Sequence, residues 1–115
     1  MAGLRPYQQK AKDETESILS KITKNKPNVE VITSLVKNTR IKIDGEKAMD
    51  IFYHAKELRI NIPSTGKMYK KYTDLLMKNL AYQKDGADPE STKNEYAFFV
   101  SFENAEKVLD YLINK

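Results

Sequence analysis

From Ser64 to Leu80 the polar and apolar positions separate at helical spacing, in the stretch STGKMYKKYTDLLMKNL. On a wheel of about 100° per residue, Met68, Tyr69, Tyr72, Leu75, Leu76 and Leu80 gather on one side. Lys67, Lys70, Lys71, Asp74 and Lys78 gather on the other. The spacing predicts a helix over 64–80 with one face for a small core and one of ammonium groups. Ser64 or Thr65 can cap its first N–H groups, because a side-chain hydroxyl accepts a hydrogen bond there. Pro63 marks the break before it.

The same reading divides the rest of the chain. Proline suits a helix's first turn, so a first helix begins at Pro6 and runs to about Lys24. Its apolar positions, Tyr7, Ala11, Ile18, Leu19 and Ile22, form a narrow stripe with Thr15 in the gap, enough for one packing partner. Asn25 to Pro27 is a break. Asn28 to Lys37 suits strand or helix alike, and an Asn28 cap with the Val31, Leu35 pairing tilts it towards a short helix. Arg40 to Asp44 alternates and reads as a strand. Asp44 and Gly45 open a helix through Leu58, with Ala48, Ile51, Phe52, Ala55 and Leu58 along one face. Arg59 to Pro63 is a connector whose Ile60 and Ile62 plug the core. After the lysine-rich helix, Ala81 to Asp85 reads as a strand and GADPESTKN as a turn-rich loop. Glu95 to Phe102 is an aromatic, β-branched strand that makes a hairpin with 81–85. Asn104 to Asn114 closes the pattern as an amphipathic helix through Ala105, Val108, Leu109 and Leu112.

Composition narrows the function classes. The 115 residues make one domain's worth of core. No apolar run approaches the roughly 20 residues of a membrane span, and the start of the chain lacks a signal peptide's apolar stretch. Cysteine is absent, which excludes disulfides and thiolate metal sites and fits a cytoplasmic setting. The net charge of +4 hides an asymmetry. Residues 1–80 hold sixteen Lys/Arg against nine Asp/Glu, and residues 81–115 hold four against seven. A nucleic-acid surface therefore belongs in the first two-thirds.

From Asn28 the predicted order is helix, short strand, helix, connector, helix, strand, loop, strand. Carried by RIKIDGEKAMDIFYHAKEL, RINIPSTG, KMYKKYTDLLMKNL and the hairpin around Gly86, this order resembles the winged helix-turn-helix superfamily. The resemblance implies a mostly α, α+β fold. Residues 28–102 would be the winged-helix core, 1–27 an N-terminal helix serving dimerisation, and 103–115 an added C-terminal helix. It also implies a sequence-specific double-stranded DNA-binding protein, a small regulator or a replication or partition factor. Ser64, Thr65, Lys67, Tyr69, Lys70, Lys71 and Lys78 would then face the major groove. Lysines neutralise phosphates and release counterions, while hydroxyls position the backbone or meet base edges. The presumed wing carries Lys84 and Lys93 against Asp85, Asp88, Glu90 and Glu95. That balance favours a rival reading, a protein-binding adaptor or inhibitor engaging a partner through the acidic loop 85–95. YAFFVSF followed by ENAEKVLDYL is also similar to the RNA-recognition motif, whose aromatic strand stacks bases, although the glycine of that signature is missing.

The remaining candidates reduce to structural roles. His54 is the only histidine and has neither cysteines nor a carboxylate cluster for a zinc site. STGK at 64–67 lacks the first glycine of a phosphate-binding loop. LRPYQQKAK is similar to the adenine-reading segment before some helicase cores, but no nucleotide-binding core follows it. Tyr69 and Tyr72 share helical spacing with Leu75 and Leu76, which marks core rather than nucleophiles. No serine has histidine and acid at meaningful spacing. The expectation is a homodimeric binding protein, not an enzyme, with no cofactor, no metal and no membrane.

Overall fold

The computed structural model describes residues 3–63, 68, 70, 71, 74, 90, 91 and 95–114. Helix α1 (Pro6–Ile22) leads into strands β1 (Val29–Ile32), β2 (Asn38–Ile43), β3 (Glu46–Tyr53) and β4 (Glu57–Pro63). The two-residue β5 (Glu90–Ser91), β6 (Glu95–Ser101) and α2 (Phe102–Asn114) follow. The strands form one antiparallel sheet in the order β1-β2-β3-β4-β6-β5. Helix α1 packs over β1, β2 and β3, and α2 over β4 and β6, with the two helices in contact.

This corrects the winged-helix expectation. Residues 29–63 build four strands of a sheet rather than a mostly α core, and where helices were predicted at 28–37 and 45–58 the chain forms β1, β3 and the start of β4. The physical reason lies at Asp44-Gly45, which turn with φ of 54° and 81° and pair Ile43 with Glu46. Two successive positive φ values match the twist of a tight hairpin, and Asp-Gly is a strong signal for one. Asn28 does not cap a helix; its carbonyl accepts the Asp44 N–H at 2.9 Å. The former connector is β4 itself, and its Leu58, Ile60 and Ile62 are all fully buried. The expected strand over 81–85 lies outside the described residues, and β6 pairs instead with β4 and β5.

Added atoms at Gly45 would meet nothing within 4 Å, so the backbone alone makes glycine preferable there. Gly45→Ala should therefore cost about 1 kcal/mol and lower the melting temperature by roughly 4–8 °C. A thermal melt of the variant checks this, and an unchanged midpoint would contradict the turn geometry.

Alternation then builds the core. Ile41, Met49, Ile51, Leu58, Ile60, Ile62 and Val100 point to the helix side and are buried against Leu19, Val108, Leu109 and Leu112. Met68 joins that cluster, as the wheel expected for its apolar face. The α1 stripe expected to make a dimer is used within the chain. Ala11 and Leu19 are core, Ile22 packs against it, and Tyr7 is exposed. Asn114 donates to the Ile22 carbonyl at 3.1 Å, tying the ends of the two helices. The radius of gyration, 13.3 Å, is that of a compact chain of this length. Among the described residues no helix is long and apolar enough to cross a membrane.

Candidate functional site

With both helices on one face, the opposite face of the sheet carries the intervening residues of each strand. Cross-strand pairing sets them in rows. Asn38, Phe52, Arg59 and Phe99 lie opposite one another across β2, β3, β4 and β6. Two half-buried rings thus stand two strands apart, about 10 Å, with a guanidinium-bearing side chain between them. The next row holds Arg40, Asp50 and Asn61, and the one beyond pairs Lys42 with Lys47. Five cationic side chains, Arg40, Lys42, Lys47, Arg59 and nearby Lys37, accompany these rows.

Asp50 sits among them and is buried. Its carboxylate accepts Arg40 Nε at 2.8 Å and Lys47 Nζ at 3.1 Å. Burial alone would push the carboxyl up, but the hydrogen bonds and charges of Arg40 and Lys47 outweigh it and hold the group below its ordinary 3.8. A depressed carboxyl contributes stability above its unfolded value and loses it as pH falls through the folded one. Asp50→Asn should therefore cost about 1–3 kcal/mol at neutral pH, its partners being partly exposed. The gap to the parent should shrink as pH drops below 3.8. Urea titrations at neutral and acidic pH check this; a gap independent of pH would remove the linkage. Asn61, beside Asp50, has its Oδ1 enclosed with no hydrogen-bond partner among the described residues.

Where β3 ends, the first row opens into a cleft of about 320 Å³ lined by Gly3, Leu4, Gln8, Lys37, Phe52, Tyr53, His54 and Arg59. His54 is exposed, its ring tilted 60° to that of Phe99 with centroids 5.8 Å apart. Gln8 fixes the far wall. Its Nε2 donates to the Tyr53 carbonyl at 2.9 Å, and its Oε1 accepts the Arg5 N–H at 2.9 Å. Behind Tyr53 runs a buried polar seam. Lys12 Nζ meets Glu16 Oε2 at 2.7 Å and the Thr33 carbonyl at 3.0 Å. The same Glu16 oxygen accepts from Thr39, whose hydroxyl lies 2.7 Å from that of Tyr53. Burial pushes the Tyr53 phenol above its ordinary value, opposed by the Thr39 bond.

The residues expected to read DNA are placed only in part. Met68, Lys70, Lys71 and Asp74 are helical, with Lys70 exposed. Lys71 is half-buried, and its Nζ donates to the Leu112 carbonyl at 3.1 Å, where a cation suits the C-terminal end of α2. Ser64, Thr65, Lys67, Tyr69 and Lys78 lie outside the described residues. Of the acidic loop 85–95, Glu90 and Ser91 pair with β6 at Ala97 and Tyr96. The sequence reading missed Phe52 and Arg59 as surface residues because it assigned them to a helix face and a connector. The signal that finds Arg59 is the alternation of ELRINIP, in which Leu58, Ile60 and Ile62 take the core and leave Arg59 and Asn61 outward.

Scanned against protein-family models, curated proteins and solved structures, the chain matches none of them.

Proposed function

We propose that this chain is a binding protein for nucleic acid, and that it takes a single strand across the face of its sheet opposite α1 and α2. The observation that carries the reading is the row Phe52, Arg59, Phe99, two aromatic rings around a cationic side chain on one face of an antiparallel sheet. Every base has a π-face, so such platforms bind single strands by stacking while cations track the phosphates. Arg40 and Lys42 extend that charge along β2, although Arg40 is partly engaged by Asp50. A cytoplasmic setting accords with this role.

Duplex DNA is the competing ligand, and the exposed Lys70 is the observation on its side. Fluorescence anisotropy with a labelled single strand and its duplex, across a salt series, tests the reading. The expected result is tighter binding of the single strand, with log affinity falling linearly against log salt. Preference for the duplex at every salt concentration would transfer the function to the lysine-bearing segment 64–80. No binding to either would end the nucleic-acid reading.

A further inference from the structure

We infer that the cleft at the end of the aromatic row holds a terminal phosphate, so that the chain recognises the phosphorylated end of a strand rather than its interior. This rests on the nucleic-acid reading of the sheet face and adds a specificity to it. The lining supplies Lys37, Arg59 and His54 with the Gln8 amide and, among the described residues, holds no Asp or Glu. That donor set suits an anion. A terminal phosphomonoester carries about −1.5 to −2 charges near neutral pH, more than an internal diester. Arginine offers two parallel N–H groups to phosphate oxygens, and lysine adds a compact charge.

Shape points the same way. At about 320 Å³ the cleft lies at the small end of ligand sites, too small for a duplex. Its far wall is built by Gly3, Leu4 and Gln8, with Gln8 pinned between Arg5 and the Tyr53 carbonyl. A strand can enter from the sheet face but meets that wall beyond Phe52. Phe52 belongs both to the row and to the cleft, so the base stacked on it is the last one, with its phosphate between Lys37 and His54.

The test uses the full chain and one short sequence prepared with a 5′-phosphate, a 3′-phosphate or neither, each labelled at an internal position. Anisotropy should show one phosphorylated form binding about tenfold more tightly than the unmodified strand. Lys37→Gln with His54→Gln should bring that ratio close to one, whereas Lys42→Gln should weaken all three forms and preserve it. Equal affinity of the parent protein for all three forms would overturn the inference while leaving single-strand binding intact. A preference that survives the Lys37, His54 double variant would also overturn it, by placing the phosphate elsewhere. Failure of every strand to bind would instead remove the underlying reading. Circular dichroism on each variant separates lost recognition from lost folding.

Discussion

Replacing Phe52 and Phe99 together with alanine should lower the affinity for a single strand by about 30-fold or more. Stacking a base on an aromatic ring is worth about 1–3 kcal/mol, and each 1.4 kcal/mol is about tenfold in affinity. Two rings that each hold one base therefore account for roughly 2–6 kcal/mol. Both rings are half-buried on the face away from the helices, so their removal should leave the core of Ile60, Leu109 and their neighbours in place. The loss should appear with little change in the salt slope, because no phosphate contact is removed. Lys42→Ala should do the opposite, reducing the slope for single strands by about 0.7 with a small loss at high salt. The pair of variants separates stacking from charge. If the double alanine protein melts cooperatively and binds as the parent does, the aromatic row is not the platform.

The sequence displayed its ends better than its middle, for physical reasons. Helix α1 and α2 carry long periodic stripes bounded by Pro6 and by the Ser101–Phe102 junction, and β6 is rich in aromatic and β-branched residues. Those features have few competing interpretations. The middle had two. Ala48, Ile51, Phe52, Ala55 and Leu58 recur at helical spacing, while Met49, Ile51, Tyr53 and then Leu58, Ile60, Ile62 recur at strand spacing. The strand pattern prevails because the Asp44-Gly45 turn already commits the chain to a hairpin, and because a helix from 45 to 58 would leave Met49 and Tyr53 off its buried face. The bulge opposite Ile41 and Lys42 obscured the alternation further by leaving Ala48 of β3 outside the register. The candidate site was hidden for the same reason. A row of opposed residues on four strands is a property of register, and register becomes visible only when the strands are paired.

The charged residues of α1 were equally opaque, since Lys12 and Glu16 resemble an ordinary surface pair one turn apart. They are inside: their side chains are 6% and 17% exposed, and they join α1 to β2 through Thr39. Replacing Glu16 with leucine should therefore destabilise the protein by about 3–5 kcal/mol, because it leaves the Lys12 charge buried beside the Thr33 carbonyl alone. A loss of that size lowers the melting temperature of a domain this small by roughly 12 °C or more. Removing both charges, as Lys12→Met with Glu16→Leu, should restore most of the stability, since packed apolar side chains replace a buried ion pair at little net cost. The double variant also separates the seam from the site. Gln8 lies one turn before Lys12 and forms the cleft wall through Tyr53, so single-strand affinity should return together with stability if the seam serves only to hold α1 on the sheet. Stability that returns without affinity would mean that the charges of the seam themselves act on the ligand. A Glu16→Leu protein as stable as the parent would show that Lys12 reaches water, and that the joint between α1 and β2 is not what holds the wall of the cleft.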